Sequence, residues 1–257
     1  MRNPLRIEAH AKVNLTLEVL GVRPDGYHDL RSVVLPIPLC DDIELTPADD
    51  LAVAFAPEGL SPATLSALAA LPPEKNLAWK AARVLQQATG CSKGVQITIT
   101  KRIPAGAGMG GGSSDAAAVL NALNDLWELH LPKTRLCELA AEVGSDVPAL
   151  TWGGPVLMEG RGERVTPLAE SPLKDFPLPD VSRLVVYTPP VFVSTPAVFR
   201  EFREDDRGKG ANDLQPAACR LHPEISAALQ RLVDQGCEGV MMSGSGATVF
   251  GFRPSAA

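Results

Sequence analysis

A glycine-rich segment between a strand pattern and a helix pattern constrains this chain more than any other feature. Val95–Ile103 places Val95, Ile97 and Ile99 on one face, the period of a half-buried β-strand. The sequence PAGAGMGGGSSDAAAVLNALNDLWEL follows directly, with five glycines within seven residues. Glycine allows positive φ and lets backbone N–H groups approach an anion, and a following helix adds the positive end of its dipole. The pattern therefore predicts a phosphate-binding loop formed by Pro104, Ala105, Gly106, Ala107, Gly108, Met109, Gly110, Gly111, Gly112, Ser113 and Ser114.

Several known phosphate loops do not fit this segment. A Walker A motif ends in G-K-[ST], and no lysine occurs between residues 110 and 132. GAGMGG satisfies G-x-G-x-x-G, but the dinucleotide fold also needs an acidic residue at the end of a strand about 20 residues later. LPKTRLCELAAEVG has a helical pattern there. The protein-kinase motifs V-A-I-K, H-R-D and D-F-G are absent, which leaves a phosphate loop of another type.

Ser113 or Ser114 is expected to cap the helix, bind a phosphate oxygen or touch a metal ion on the phosphates.

Composition excludes several classes of protein. The 257 residues carry a net charge of −6 with no Lys/Arg run longer than two, which disfavours nucleic-acid binding. The five cysteines are widely spaced without a C-x-x-C, which argues against a disulfide framework or a structural zinc site and fits a reducing cytosol. No secretory signal and no apolar run of about 18 residues is present. We therefore expect a cytoplasmic protein with neither a nucleic-acid nor a membrane partner.

Helix patterns alternate with hairpin patterns along the chain, which predicts an α+β fold. The pattern changes after Gly154 and favours two domains, residues 1–155 and residues 156–257. Ile7–Glu18 alternates as a half-buried strand, with Lys12 and Asn14 on the polar face. Pro36 and Pro38 predict an edge position or an interruption in the next apolar run.

The glycine segment resembles the phosphate loop of the GHMP kinases, a superfamily of small-molecule kinases. Three further segments resemble one branch of it: AKVNLTLEVLGVRPDGYHDL at 11–30, VGSDVP at 143–148 and MMSGSGATVF at 241–250. GRGERVTPL at 160–168 and NDL at 212–214 also fit, so the resemblance covers nearly the whole chain. R-P-D-G-Y-H is specific to this branch, whereas the glycine loop is shared by the superfamily.

The resemblance implies a two-domain α+β fold with the active site in the cleft between the halves. The implied reaction transfers the γ-phosphoryl of ATP, carrying Mg²⁺ on its phosphates, to the 2-hydroxyl of 4-diphosphocytidyl-2-C-methyl-D-erythritol in the non-mevalonate isoprenoid pathway. Residue by residue, it implies a catalytic Lys12 and Asp146, a substrate contact at Asn14, cytidine recognition by Tyr27, His28 and Phe199, and an adenine pocket lined by Lys101 and Asn76.

The residue types suit this chemistry. A carboxylate such as Asp146 can accept the proton of a hydroxyl nucleophile, and a lysine paired with it would keep it ionised. An aromatic ring such as Tyr27 can stack on a pyrimidine. Two departures from the family pattern are Met109, where leucine is commoner, and Ala149-Leu150, where aromatics are usual.

Three other functions stay open at this point. The chain could be another GHMP kinase, acting on homoserine or mevalonate. It could be a dinucleotide-dependent oxidoreductase that uses GAGMGG, or a nucleotide sensor without turnover. The oligomeric state and a direct protein ligand for Mg²⁺ are not indicated by the sequence.

Overall fold

A computed structural model describes residues 4–58 and 62–255. Within these residues the chain forms an α+β arrangement of ten strands and eight α-helices. The strands are β1 Leu5–Asn14, β2 Glu18–Val22, β3 His28–Ala48, β4 Leu51–Phe55, β5 Gly94–Thr100, β6 Val156–Gly160, β7 Arg164–Pro167, β8 Leu184–Tyr187, β9 Glu238–Met242 and β10 Val249–Phe252. The helices are α1 Pro62–Ala69, α2 Leu77–Thr89, α3 Gly111–Leu126, α4 Lys133–Val143, α5 Val147–Trp152, α6 Thr195–Glu201, α7 Gln215–Leu221 and α8 Pro223–Asp234. None of the described helices combines the length and the apolar character needed to span a membrane.

The chain packs into two compact units, each assembled from separate segments. The first unit contains residues 1–11, 38–103 and 110–154, and the second contains residues 12–37, 104–109 and 155–257. The chain therefore changes unit within β1, within β3 and within the glycine-rich loop. A domain boundary at residue 155 stays a prediction, and the packing units differ from it because residues 12–37 and 104–109 belong with the C-terminal half.

The first unit is a sheet covered by helices. β5 pairs in parallel with β4 and antiparallel with residues 42–48 of β3. The inward side chains of these strands, such as Ile43 and Ile97, are fully buried in one core with Leu85 of α2 and Leu120 of α3. α2 has Asn76 as its N-cap, and Gly90 at φ +69° follows its last residue.

The second unit contains two antiparallel arrangements. Residues 30–34 of β3 pair with β6, which continues through the predicted hairpin into β7. β8, β10 and β9 form a second sheet in that order. Its core joins apolar residues of this sheet and of the helices, including Met242, Val249, Leu214 and Ile225.

Two local predictions differ from the structure. β3 continues without interruption through Pro36 and Pro38. The two prolines are tolerated because they lie between the segment paired with β6 and the segment paired with β5, where the missing N–H groups interrupt neither of those ladders. The half-buried pattern of β1 is also wrong at its end, because Lys12 and Asn14 on the polar face are as buried as Val13.

Candidate functional site

The backbone of the glycine-rich loop has an alternating conformation. Gly106, Gly108 and Gly110 have φ values of +66°, +75° and +71°, and the intervening Ala107 and Met109 do not have positive φ. Left-handed residues within such a loop can turn backbone N–H groups toward an anion. At Gly108 a side chain is excluded on a second ground, because an added Cβ would lie 2.3 Å from the Ser243 carbonyl oxygen. Met109 is almost fully buried, as a packing residue in place of leucine would be.

The helix after the loop begins earlier than the sequence indicates. α3 starts at Gly111 with Gly110 as its N-cap, so the expected cap by Ser113 or Ser114 is wrong. Both serines lie inside the first turn, where the Ser114 backbone N–H and hydroxyl donate to the Gly110 carbonyl at 2.7 and 3.0 Å. Because the N-cap is a glycine, it has no side chain to accept hydrogen bonds from the first-turn N–H groups, and these donors suit an anion.

Lys12 and Asn14 form a buried hydrogen-bond network at the end of β1. Lys12 Nζ donates to Asn14 Oδ1 at 2.7 Å and to the Gly108 carbonyl at 3.1 Å. Asn14 Nδ2 donates to Ser32 Oγ at 2.8 Å, and Ser243 Oγ donates to the same Gly108 carbonyl at 3.0 Å. The network therefore joins the predicted catalytic lysine to the phosphate loop. Ser32 and Ser243 are members that sequence reasoning missed.

The C-terminal turn packs against this network. Asn212 Nδ2 donates to the Met242 and Gly244 carbonyls, both at 2.8 Å, and thereby holds the turn between β9 and β10. At Gly244, where φ is +57°, an added Cβ would lie 3.2 Å from the Gly108 carbonyl oxygen and 3.4 Å from Lys12 Nζ. The NDL and MSGSG segments of the sequence are therefore joined by hydrogen bonds. The signal that indicated both was the family resemblance, since an asparagine among polar residues has no pattern of its own.

The predicted cytidine-binding residues lie in the second unit, where two of their rings contact each other. The His28 imidazole stacks on Phe199 with centroids 4.6 Å apart and an interplanar angle of 26°, while Phe202 meets His28 edge-on at 6.4 Å. Tyr27 is 53% exposed, and the Arg161 guanidinium lies 5.6 Å from its ring centroid. Burial lowers the pKa of His28 from its ordinary value, which favours the neutral imidazole that a stacking contact needs. Cytidine recognition by Tyr27, His28 and Phe199 stays a prediction.

Asp146 and Asn76 lie at helix starts in the first unit. Asp146 directly precedes α5 and makes no side-chain cap of that helix. Behind it, Ala149 and Leu150 are buried, so the two residues that depart from the family pattern still provide apolar packing. Asn76 Oδ1 accepts from the Ala78 and Trp79 N–H groups, which leaves its amide NH₂ as the group for any adenine contact.

Lys101 is held by two carboxylates that sequence reasoning did not single out. Its Nζ donates to Asp115 Oδ2 at 2.8 Å and to Asp41 Oδ2. Asp41 is fully buried and also accepts from the backbone N–H groups of Arg102 and Ile103. An added Cβ at Gly111 would lie 3.4 Å from Lys101 Nζ, so the ammonium group lies beside the first turn of α3. Asp115 could have been suspected from its place directly after the loop serines.

Burial and the neighbouring charges shift the pKa values of Lys101 and Asp115. Burial raises the pKa of Asp115 to about 7, against the opposing positive charge of Lys101. Burial also lowers the pKa of Lys101, but the charges of Asp115 and Asp41 outweigh it and raise the pKa above its ordinary value. Asp115 Oδ1 is buried without a hydrogen-bond partner among the described residues.

Comparison with known proteins agrees with this geometry. The GHMP kinases N terminal domain model matches residues 76–154, and the GHMP kinases C terminal model matches residues 195–257. A 4-diphosphocytidyl-2-C-methyl-D-erythritol kinase of Symbiobacterium thermophilum is 42% identical over 97% of this chain and 91% of that protein. The chain belongs to this family of GHMP kinases. A crystal structure of a 4-(cytidine 5'-diphospho)-2C-methyl-D-erythritol kinase is 36% identical, covers 96% of this chain and 90% of that one, and superimposes with a TM-score of 0.75.

Membership of the GHMP kinases decides between the open alternatives at the level of class. The fold predicted from the resemblance is confirmed, and the dinucleotide-dependent oxidoreductase suggested by GAGMGG is excluded. A homoserine kinase of Cytophaga hutchinsonii has a TM-score of 0.66 at 19% identity, covering 98% of this chain and 85% of that one. At that identity the likeness extends to the fold alone. A shared fold does not determine the acceptor, and the roles of Tyr27, His28 and Phe199 in choosing it stay predictions.

Proposed function

We propose that this chain transfers the γ-phosphoryl of ATP to the 2-hydroxyl of 4-diphosphocytidyl-2-C-methyl-D-erythritol, a step of the non-mevalonate isoprenoid pathway. The observation that carries the proposal is the bond from Lys12 Nζ to the Gly108 carbonyl, because it fixes a buried ammonium group on the phosphate loop. Family membership then supplies the acceptor, since the relatives that match nearly the whole chain are named for this reaction.

The phosphates of ATP are assigned to the loop from Pro104 to Ser114. Three glycines of alternating backbone conformation and the uncapped first turn of α3 offer N–H donors and the positive end of a helix dipole. Such a site needs little side-chain charge, so the net charge of −6 is compatible with binding an anionic nucleotide. The adenine is assigned to the neighbourhood of Asn76 and Lys101, as the family resemblance implies.

Mg²⁺ enters with ATP, where it would neutralise charge that develops on the transferred phosphoryl group. The Ser113 hydroxyl suits the ion as an oxygen ligand, because Ser113 is half-buried in the first turn of α3. The Ser114 hydroxyl is turned to the Gly110 carbonyl and is the poorer candidate.

Lys12 and Asp146 are assigned the chemistry. Asp146 accepts the proton of the 2-hydroxyl as that oxygen attacks the γ-phosphorus. Lys12 contributes a fixed positive charge that stabilises the negative charge developing on the phosphoryl oxygens. Two acceptors, Asn14 Oδ1 and the Gly108 carbonyl, hold its Nζ, so little reorganisation is needed when that charge develops.

The cytidine is assigned to Tyr27, His28 and Phe199. Tyr27 is exposed and presents a ring on which a pyrimidine can stack. His28 has two ring nitrogens for the polar edge of the base, and its stacking on Phe199 fixes the plane of the imidazole. Asn14, held by Ser32, is assigned to a polar contact with the substrate.

A panel of acceptors tests the proposed function. The purified chain with ATP and Mg²⁺ should form ADP in the presence of the cytidylated methylerythritol, and CMP should inhibit competitively. Homoserine and mevalonate should give no turnover above background. Turnover of homoserine or mevalonate that CMP does not affect would assign the chain to another GHMP kinase activity, and nucleotide binding without any turnover would make it a sensor.

Replacement of Asp146 tests the base. Asp146→Asn keeps the shape of the side chain but removes the proton acceptor, so we expect kcat to fall about 10²–10⁴-fold. ATP affinity, measured by titration of a fluorescent nucleotide analogue, should stay within about threefold of the wild type. A kcat near that of the wild type would assign the base to another group.

A further inference from the structure

The outer face of the first unit carries ligand-type side chains on two paired strands. On β1, the exposed Glu8 and His10 alternate with the buried Ala9 and Ala11, as the period of two requires. On β3, Cys40 is half-buried beside the fully buried Asp41. β1 pairs with β3, so these three side chains share one face of the sheet. None of them has a part in the proposed reaction.

The three side chains converge on one point. One ligand atom from each of Glu8, His10 and Cys40 lies within 4.8 Å of the other two. His10 Nε2 lies 3.3 Å from Glu8 Oε2. Ligands about 2.0–2.3 Å from a tetrahedral ion are separated from one another by roughly 3–4 Å. Rotations of two exposed side chains are therefore enough to bring all three onto one ion, with the strand backbones unchanged.

We infer that Glu8, His10 and Cys40 form a binding site for a divalent cation of the zinc class. The site supplies a carboxylate, an imidazole and a thiol from rigid strands, and water would complete the tetrahedron as it does in open three-ligand zinc sites. The thiol loses its proton to solvent when the metal–sulfur bond forms, and no oxidation or reduction is involved.

The ligand set selects against the Mg²⁺ that accompanies ATP. Thiolate and imidazole ligands suit zinc and cobalt, whereas Mg²⁺ requires oxygen ligands in an octahedral arrangement. The spacing of the cysteines argued against a zinc site, since no C-x-x-C is present. That argument does not apply to a site formed by one cysteine and a histidine of a neighbouring strand.

The surroundings favour a cation. The negative charge of Glu8, itself one of the ligands, and that of Asp42 lie near the Cys40 thiol, and both attract a metal ion. Arg102, the positive group nearby, is paired with Asp42. Glu8 also lines an open surface groove of about 870 Å³, so an ion has a route to the site from solvent.

Binding would link β1 to β3 just before Lys12. His10 precedes Lys12 by two residues on the same strand, so a bound ion would restrict the motion of the strand segment that leads to Lys12. We therefore expect the metal to stabilise the fold without taking part in phosphoryl transfer.

Cobalt titration tests the site, because Co²⁺ replaces Zn²⁺ at such sites and a cobalt–thiolate bond absorbs in the near ultraviolet. The reduced full chain should develop this charge-transfer band with one equivalent of Co²⁺, and Zn²⁺ but not excess Mg²⁺ should abolish it. Cys40→Ser should lose the band, and His10→Ala should weaken Co²⁺ binding at least about tenfold. Cys91→Ser is the matched control, since Cys91 is another half-buried free cysteine of the first unit, and it should keep the band.

The result that would overturn the inference is a wild-type chain without the band, or a Cys40→Ser variant that keeps it. Circular dichroism of each variant without metal checks that it is folded. A thermal melt gives an independent readout: Zn²⁺ should raise the Tm of the wild type and of Cys91→Ser but not of Cys40→Ser. An equal rise in all three would place the metal elsewhere.

Discussion

Two lysines of this chain, the buried Lys12 and the partly buried Lys101, lie beside parts of the same glycine-rich segment, and their partners differ. Lys101 in the first unit donates to the carboxylates of Asp41 and Asp115. Lys12 in the second unit donates to an amide oxygen and to a backbone carbonyl of the loop. Sequence reasoning gave both lysines a role in the site, but their contacts assign them different work.

The difference teaches how to separate a structural charge from a functional one. The Lys101 charge is balanced within its own unit by two carboxylates, one of which is fully buried and takes two backbone N–H bonds as well. Removing Lys101 would leave that negative cluster buried without its cation. Two of the Lys12 contacts, to the Gly108 carbonyl and to Asn14 Oδ1, connect it to the phosphate loop and to the predicted substrate contact. Its removal should therefore affect turnover more than folding.

The largest expected effect is the loss of stability in Lys101→Met. Breaking a buried ion pair by removing one partner typically costs about 3–5 kcal/mol, because the other charge stays buried. Urea unfolding followed by circular dichroism should show this loss in the free energy of unfolding. A variant as stable as the wild type would show that the Lys101–Asp41–Asp115 cluster does not hold the first unit together.

Lys12→Met is the matched variant and should show the opposite balance. Losing one preorganised donor at a developing negative charge costs about 10²–10³ in kcat. The free energy of unfolding should fall by less than in Lys101→Met. If Lys12→Met unfolds as readily as Lys101→Met while the folded fraction keeps its kcat, the distinction between the two lysines is wrong.

The aromatic pair of the second unit should affect substrate affinity alone. Phe199→Ala removes the ring on which His28 stacks, and base stacking is worth about 1–3 kcal/mol. We expect KM for the cytidylated substrate to rise about 5–150-fold with KM for ATP unchanged. Phe202→Ala is the control, since Phe202 meets His28 only by its edge, and its KM should change less. Equal changes in the two variants would remove Phe199 from the cytidine site.

The titration of Asp115 should make the free energy of unfolding depend on pH. Burial raises its pKa to about 7 in the folded state from an ordinary value of 3.8, so the folded state binds its proton more tightly than the unfolded state does. Its contribution to stability is therefore present below about pH 4 and is lost as the pH rises toward and past 7, by at most about 1.4 kcal/mol per pH unit. Asp115→Asn should flatten this part of the stability profile between pH 4 and 7.5. A profile with the same slope in the variant would assign the titration to other groups.

The smallest expected effect distinguishes the role of Asn76 as the α2 cap from its predicted contact with adenine. Asn76→Ala removes the α2 cap and should cost about 1 kcal/mol of stability, whereas Asn76→Asp keeps an acceptor for the Ala78 and Trp79 N–H groups. Both variants lose the amide NH₂. If Asn76 contacts adenine, KM for ATP should rise in both variants, and an unchanged KM in Asn76→Asp would leave Asn76 as a cap alone.

The sequence was most informative where one local pattern decides one local structure. The strand before the loop, the helix after it and α2 with its cap follow from periodicity, glycine and asparagine chemistry. The position of the α3 cap was missed because Gly110, which has no side chain to bond, begins the helix ahead of two better capping residues. The prolines of β3 were misjudged because local chemistry does not show that they fall between the ladders to β6 and to β5.

The candidate site was predictable only through the family resemblance. Lys12 on a strand has no local signal. Its partner Gly108, and the Ser243 hydroxyl that donates to the same Gly108 carbonyl, are far away in sequence. Asp41 and Asp115 were missed for the same reason: a buried carboxylate is recognised by its environment, which periodicity does not describe. The pairing of His28 with Phe199 likewise depends on contacts between distant segments of the chain.

The most direct test of the account is phosphorus-31 NMR of a reaction that contains the chain, ATP, Mg²⁺ and the cytidylated methylerythritol. The account predicts a new phosphomonoester resonance, equal in amount to the ADP formed, with carbon-13 coupling that places the phosphate on the 2-hydroxyl. Lys12→Met and Asp146→Asn should form it at greatly reduced rates. ADP and inorganic phosphate without a phosphomonoester, or a phosphate on another hydroxyl, would contradict the account.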